Sequence, residues 1–365
     1  MLVLTGAAFL YFTLELMEQR ILPLVLASSW AFLIAVFAVP SIIRVAHLKN
    51  ILDKPNLRTM HGESTPRLGG MAMFAGFMSA LTIFTGLNNG VQQLLAGCII
   101  LFFIGLKDDM ITISALKKFA VQVLATGIVM FMGDIRITSF QGIFGLWELE
   151  LGASYAFTFF VIVGITNAIN LIDGLDGLAG TIVLIASFTF GLCFFFYGGT
   201  AYSSYASVAF CLIGGVLGFL RYNFHKATIF MGDTGSLLCG FILSVLAIQF
   251  IEMRAVPATP SVALGVLFVP LFDTVRVMLI RAMSGKSPFA PDKNHVHHRL
   301  TAMGLGQVTT VLVLGSVNTL AILFVLGFGE WGNHYILLVL LVFSAILSAL
   351  LEFNRLRSAQ VVSKV

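Results

Sequence analysis

The chain has 365 residues, of which 58% are hydrophobic and only 10% are charged. A soluble domain carries roughly 45–50% apolar and about 25% charged residues, so this composition excludes an ordinary soluble protein. Apolar runs long enough to cross a bilayer, about 17–25 residues each, recur along the whole chain. This pattern predicts an all-α, polytopic integral membrane protein.

The apolar runs predict about eleven transmembrane helices. We place them near 22–44, 69–88, 91–106, 116–133, 153–170, 178–198, 205–220, 236–252, 261–281, 308–328 and 335–353. Residues 1–21 begin with a shorter apolar run that Glu15, Glu18 and Arg20 close, so we predict a peripheral N-terminal segment and no twelfth span. The rest is then one transmembrane domain over 22–353 and a polar tail over 354–365.

The basic residues predict the orientation. If the N-terminus lies outside, all of the 21 lysines and arginines fall on the inner side except Arg20, Arg136 and Arg254. The positive-inside rule therefore predicts an outer N-terminus and a cytoplasmic C-terminus. The predicted cytoplasmic loops are 45–68, 107–116, 170–177, 221–235 and 282–307.

Three short acidic segments occur where apolar runs begin or end: LKDDM at 106–110, NLIDGLDGLAG at 170–180 and FMGDTGS at 230–236. Aspartate and glutamate together number only 17. A carboxylate kept beside hydrocarbon costs free energy, which makes such a residue a candidate for function. Since all three segments fall on the predicted cytoplasmic side, we expect them to form one anionic site.

The first segment contains Asp108 and Asp109, with Lys117 and Lys118 soon after. Two adjacent carboxylates repel each other, so Mg²⁺ or a lysine nearby would stabilise them. A solvated loop with two charges is the alternative. The basic residues that follow favour a metal-bridged phosphate.

The second segment spaces Asn167, Asn170 and Asp173 three residues apart, which predicts one helical face. Gly174 and Gly177 then end the helix and put Asp176 on a turn. A helix cap would explain one such polar residue but not four of them. In the third segment, Asp233 precedes an apolar run, where a helix cap and an anion-binding helix end are compatible.

Two further inner loops are rich in cationic residues. The later loop contains His295, His297, His298 and Arg299, which suit phosphate oxygens better than Zn²⁺ because no cysteine accompanies them. The earlier loop reads DKPNLRTMHGESTPRLGG over 53–70. Its basic residues either only fix the orientation in the membrane, or the loop, ordered by its prolines and glycines, closes over an anionic substrate.

Asp273 is the exception, because it lies within a predicted span. Arg276 follows one helical turn later, so we expect a buried ion pair between the two side chains and no catalytic role.

Taken together, these motifs resemble the polyprenyl-phosphate N-acetylhexosamine-1-phosphate transferases, the MraY-like glycosyltransferase 4 superfamily. The resemblance runs from about residue 53 to 300 and keeps the motif order: DKPNLR, TPRLGG, DD, NAINLIDGLDGLAG, FMGDTGS and SPFAPDKNHVHHRL. The last motif looks like the WecA-type branch, which makes undecaprenyl-pyrophosphoryl-GlcNAc. One departure is Lys226, where the family is expected to carry proline.

The resemblance implies roles for particular residues. Catalytic roles would fall to Asp108, Asp109, Asp173 and Asp176, and Mg²⁺, with Mn²⁺ as a substitute, would be held by Asp233, Asp108 and Asp109. Substrate binding would involve Lys54, Arg58, His61, Arg67, Lys118, Asn167, Asn170, Asn223, His295, His297, His298 and Arg299. A phosphate monoester is already largely dianionic at neutral pH, so we expect Asp108 to contribute little as a general base.

The implied reaction joins UDP-GlcNAc and undecaprenyl phosphate to give undecaprenyl-pyrophosphoryl-GlcNAc and UMP. It would begin a cell-surface polysaccharide, such as O-antigen or common antigen, in a bacterial inner membrane, with the active site facing the cytoplasm and the N-terminus periplasmic. The partners are the nucleotide sugar, the lipid and the bilayer, with a homodimer considered and no nucleic acid expected. Alternatives are another UDP-sugar, GalNAc or MurNAc-pentapeptide, and an anion transporter.

Overall fold

The structure of the protein is a computed structural model that describes residues 2–52, 65–86, 88–287 and 294–362. It is all-helical, with 79% of the residues in helices and no strand among the described residues. The helices are α1 Leu2–Leu48, α2 Gly69–Phe84, α3 Asn89–Met110, α4 Ala115–Gly127, α5 Leu151–Ile172, α6 Leu178–Tyr197, α7 Ser203–Asn223, α8 Gly232–Met253, α9 Thr259–Val266, α10 Phe268–Met283, α11 Val296–Ala302, α12 Gln307–Gly327 and α13 Asn333–Val362.

The predicted spans are confirmed as helices. Within the described ranges, nine helices are long and apolar enough to cross a membrane. A tenth span arises if α9 and α10 count as one, while α2 has only 16 residues. The exact count of eleven stays a prediction, because one apolar run is short and another is broken. The orientation of the termini stays a prediction.

The predicted N-terminal segment and the first span belong to one helix. Helix α1 runs without interruption from Leu2 to Leu48, so no break in the helix separates residues 2–21 from the first span. Pro23 and Pro40 lie inside this helix. The peripheral placement of the N-terminal segment stays a prediction.

The run predicted as a single span over 261–281 contains a bend of 81° between α9 and α10. Pro270 lies in the first turn of α10, where its missing N–H costs no hydrogen bond. The break frees backbone groups inside the protein, and Asn318 of α12 satisfies two of them. Its Oδ1 accepts from the N–H of Val269 at 3.0 Å, and its Nδ2 donates to the carbonyl of Val266 at 3.0 Å.

Helix α8 lies at the centre of the bundle, packed against α2, α3, α5 and α6. Nearly all of its residues are buried, and they are apolar on every side, as expected of a helix surrounded by protein. Its N-terminal turn begins at Gly232 beside Asp109 of α3. The central helix therefore starts at the acidic segments, and its packing in the core fixes their position.

The far end of the bundle is closed by residues 134–150, which connect α4 and α5. Glu252, near the end of α8, accepts hydrogen bonds from the N–H of Thr138 at 2.8 Å and from its hydroxyl at 2.6 Å. Arg254 lies 3.5 Å from Glu148 and 4.0 Å from Glu252. These contacts fasten the connection to the central helix.

Candidate active site

Asp109 joins the first acidic segment to the third. Its Oδ1 accepts from the N–H of Asp233 at 2.7 Å, and its Oδ2 accepts from the N–H and hydroxyl of Thr234 at 3.0 and 2.5 Å. Gly232 has φ +71°, and a Cβ there would lie 2.5 Å from Asp109 Oδ2. Glycine thus permits the close approach, and Asp109 satisfies free N–H groups at the start of α8.

Lys118 of α4 brings two further carboxylates together. Its Nζ lies 3.0 Å from Asp108 Oδ2 and 2.6 Å from Asp233 Oδ2. The other oxygen of Asp108 accepts from the N–H of Ile113 at 2.8 Å. Two carboxylate oxygens therefore converge on one cation, which is the arrangement that a hard metal ion also requires.

The second acidic segment reaches the same place from α5. Asn170 donates to Ser236 Oγ at 2.8 Å and lies 3.4 Å from Asp233 Oδ1. The expectation that the three acidic segments form one site is confirmed by these contacts together with those of Asp109 and Lys118.

Asp173 follows the last residue of α5 and is half-buried. Burial raises its pKa well above the usual range, and the charges of Asp233, Asp109 and Asp176 raise it further. Arg67 opposes this shift. Burial and the crowding of four carboxylates therefore both favour the protonated form of Asp173.

Asn167 does not join the cluster. Its Nδ2 donates to Gln122 Oε1 of α4 at 3.0 Å and to the carbonyl of Val163 at 2.8 Å. The three-residue spacing places it one turn deeper than Asn170, so the predicted common face carries two different sets of contacts. Its predicted substrate contact has no support in this geometry.

Asp176 lies on a turn between α5 and α6, as predicted. Its Oδ2 accepts from the N–H of Ala227 at 3.2 Å. Asn223 accepts from the N–H of Gly177 at 2.8 Å and donates to the carbonyl of Ile229 at 2.9 Å. Because both ends of the Asn223 amide bind backbone, this residue braces the turn against the loop before α8, and its predicted substrate contact stays a prediction.

Lys226, the departure from the family motif, has a left-handed backbone with φ +51°. Proline cannot adopt this conformation, since its ring holds φ near −65°. The loop before α8 therefore follows a path here that the proline expected in the family could not.

The histidines lie close to the second acidic segment. His295 and His297 are buried, and their rings stack with centroids 5.8 Å apart. A Cβ on Gly174 would lie 2.6 Å from His297 Nε2, so the imidazole rests directly on this glycine. Burial lowers the pKa of His297 to about 3, and the neighbouring His298 contributes in the same direction. His297 is therefore neutral at physiological pH.

Some of the remaining predicted binding residues lie among the described residues and others do not. Arg299 contacts Asn294 and Glu352, and the ring of His298 lies against that of His297 at a tilt of 47°, with centroids 4.3 Å apart. Arg67 is exposed and contributes its charge to Asp173. Lys54, Arg58 and His61 lie outside the described residues.

The contacts of Asp109 bear on the predicted metal ligands. Among the described residues, no group of three or more His, Cys, Asp or Glu side chains is arranged to hold a metal ion. Both oxygens of Asp109 already accept from α8, so Asp109 is the least available of the three predicted carboxylate ligands, and the metal itself stays a prediction. Asp108 and Asp233 remain, and Mg²⁺ often takes one or two carboxylates and completes its shell with water and substrate phosphate.

The predicted ion pair between Asp273 and Arg276 is not formed. Asp273 instead accepts from the N–H of Val296 at 2.9 Å, and its other oxygen lies 2.9 Å from His295 Nδ1. Arg276 binds Glu352 at 3.1 Å. Sequence reasoning missed these contacts because both partners are distant in the chain. The one available signal was a buried charge within an apolar span.

Comparison with known proteins identifies the family of the chain. Residues 91–251 match the model of glycosyl transferase family 4. The chain is 33% identical to a probable undecaprenyl-phosphate N-acetylglucosaminyl 1-phosphate transferase of Bacillus subtilis, over 91% of this chain and 93% of the relative. It is 34% identical to a decaprenyl-phosphate N-acetylglucosaminephosphotransferase of Mycobacterium tuberculosis, over 80% and 79%. An undecaprenyl-phosphate alpha-N-acetylglucosaminyl 1-phosphate transferase of Escherichia coli is 31% identical, over 81% and 82%.

These matches cover nearly the whole chain and include the segments that meet at Asp233. The apolar helices agree with a multi-pass membrane protein. The chain belongs to the polyprenyl-phosphate N-acetylhexosamine-1-phosphate transferase superfamily, the membrane transferases of glycosyl transferase family 4.

Proposed function

We propose that this protein transfers GlcNAc-1-phosphate from UDP-GlcNAc to undecaprenyl phosphate and releases UMP. The observation that carries the proposal is the convergence of Asp108 and Asp233 on Lys118, next to a buried histidine segment. Two anionic substrates must meet in this reaction. A site that combines a cation with side chains that donate hydrogen bonds to phosphate oxygens suits them. The names of the relatives favour GlcNAc as the sugar and a polyprenyl phosphate as the acceptor.

In this proposal an oxygen of the lipid phosphate forms a bond to the β-phosphorus of UDP-GlcNAc, and the bond from that phosphorus to the bridging oxygen breaks. The bridging oxygen leaves with UMP. The acceptor is largely dianionic at neutral pH, because its second pKa is about 6. Positioning and neutralisation of charge therefore contribute more than proton abstraction by Asp108.

Asp108 and Asp233 would hold Mg²⁺, or Mn²⁺ in its place, and the metal supplies positive charge for the diphosphate. Lys118 contacts both carboxylates. When a metal ion takes the position of its ammonium group, Lys118 would instead bind the substrate phosphate. Asn170 orients Asp233, and Asp109 fixes the start of α8.

The proposed setting is a bacterial inner membrane with this end of the bundle facing the cytoplasm. The lipid product would begin an O-antigen or common antigen. An anion transporter is a weaker alternative, because transporters place their ionisable groups near the middle of the membrane. Here the acidic residues gather at one end of the helices.

The test uses purified protein, Mg²⁺ and undecaprenyl phosphate with UDP-GlcNAc, UDP-GalNAc or UDP-MurNAc-pentapeptide. UMP release and the mass of the lipid product are measured for each donor. We expect UMP and a GlcNAc-pyrophospholipid with UDP-GlcNAc. Release with a different donor alone would change the sugar, and no release with any donor would contradict the transferase proposal.

A further inference from the structure

The histidine segment, residues 294–299, is anchored on α10 by Asp273. The carboxylate of Asp273 is only 2% exposed. One oxygen accepts from the N–H of Val296, the first residue of α11, and the other lies 2.9 Å from His295 Nδ1. An ionised carboxylate only accepts hydrogen bonds, so this contact places the proton of Nδ1 between the two side chains. Nε2 is then the ring nitrogen left for a ligand.

The same segment is also fastened to α13. Arg276 is buried, with 4% of its surface exposed, and donates to the carbonyl of Asn294 at 2.9 Å. Its other terminal nitrogen lies 3.1 Å from Glu352 of α13. Glu352 also lies 3.6 Å from Arg299, so one carboxylate links two arginines on either side of the histidines.

The opposite side of the histidine segment meets the acidic site. His295 stacks on His297, and His297 rests on Gly174 between Asp173 and Asp176. His297 Nε2 is buried and has no hydrogen-bond partner among the described residues. A displacement of His295 would therefore shift the ring of His297, which in turn contacts the turn at Gly174.

We propose that Asp273 and Glu352 are positioning residues that hold the histidine segment against the acidic site, Asp273 by fixing the ring of His295. The inference rests on the proposed function, since the histidines would meet the diphosphate of the nucleotide sugar. A helix cap alone would need only the bond to Val296. The second oxygen on His295 and the two arginines on Glu352 exceed what a cap requires.

Asp273→Asn separates the two roles. An asparagine of similar shape keeps an oxygen for Val296 but turns an NH₂ group toward His295 Nδ1, so the ring must change its tautomer or rotate. We expect KM for UDP-GlcNAc to rise about ten- to hundredfold, the usual cost of losing a partner that orients a ligating histidine. KM for undecaprenyl phosphate should stay unchanged, which a general loss of structure would not produce.

A double-mutant cycle tests whether Asp273 acts through His295. In a His295→Asn background, Asp273→Asn should cause no further loss, because residues that act as one unit are not additive. The matched control is Glu252→Gln, since Glu252 also accepts from one backbone N–H and one side chain, but at the far end. It should leave both KM values unchanged. Equal losses in both backgrounds, or wild-type KM in Asp273→Asn, would overturn the proposal.

Two further measurements keep the test decisive. If Asp273→Asn does not fold, Glu352→Gln should still raise KM for UDP-GlcNAc selectively, and an unchanged KM would overturn the role of α13. The tautomer of His295 is read from ¹⁵N shifts of histidine-labelled protein, independently of turnover. We expect a protonated Nδ1 that changes in Asp273→Asn. An unchanged tautomer would contradict the inference even if no donor released UMP.

Discussion

At one end of the bundle Asp108 and Asp233 share the ammonium group of Lys118, with Asp109 and Asp173 close by. At the other end, three carboxylates lie beside two arginines: Asp134 with Arg136, and Glu148 and Glu252 with Arg254. The far end is nearly balanced and fastens a connection. At the acidic end two carboxylates share one lysine and two more lie close by, so a bound cation would relieve more repulsion there than at the far end.

The largest expected effect comes from Asp233→Asn. Loss of this carboxylate removes half of the oxygen pair on Lys118, and we expect kcat to fall about 100- to 1000-fold, as for other lost electrostatic groups. UMP release measures this. Mg²⁺ should also raise the thermal unfolding temperature of the wild type and not of the variant. Asp134→Asn, the same change at the far end, should keep both properties.

Asp109→Asn is expected to cost about 2 kcal/mol in the free energy of unfolding, because a charged acceptor for three donors at the start of α8 is lost. Activity should fall as well, because Asp109 binds the backbone N–H of Asp233 and so helps to position that residue. Glu252→Gln should lower the free energy of unfolding and leave the activity unchanged. Chemical unfolding in detergent and UMP release give the two readings, and a stable Asp109→Asn variant would show that α8 needs no cap there.

His297→Asn should change how stability depends on pH. The pKa of His297 is about 3 in the folded protein and about 6.5 in an unfolded chain, so the folded state binds fewer protons between these values. Wild-type stability therefore falls as pH drops below about 6.5, by up to about 1.4 kcal/mol per pH unit. The variant should show a flatter decline between pH 7 and 5. Parallel curves for the two proteins would contradict the neutral, buried state of His297.

The smallest effect is expected at the far end. Glu148→Gln removes one partner of an exposed pair, and such pairs contribute about 0–1 kcal/mol. Unfolding temperature and UMP release should both match the wild type. A loss of activity here would show that the two ends are coupled, which would blur the contrast between them.

Several parts of this structure could be predicted from the sequence. Apolar runs predict helices because the bilayer requires every backbone group to be satisfied within its own segment. The acidic motifs, all on the predicted inner side, predict a shared site, and the glycines at 174 and 177 predict the turn that holds Asp176. These inferences depend on local composition, which a single sequence displays directly.

Other parts depend on contacts between distant segments. Nothing in the pair Asp108–Asp109 indicates that one side chain meets Lys118 while the other caps α8. The spacing of Asp273 and Arg276 favours a local ion pair, but His295 and Glu352 compete successfully for these side chains. The break between α9 and α10 likewise depends on a partner in α12.

That break has a consequence for the order in which the protein is made. The chain is synthesised from its N-terminus, so α9 and α10 exist before Asn318 does. Until α12 is in place, the carbonyl of Val266 and the N–H of Val269 lack the partner that they have in the finished protein. A segment made early is thus completed by one made later, and the bend that precedes Asp273 gains these two hydrogen bonds only after α12 has been made.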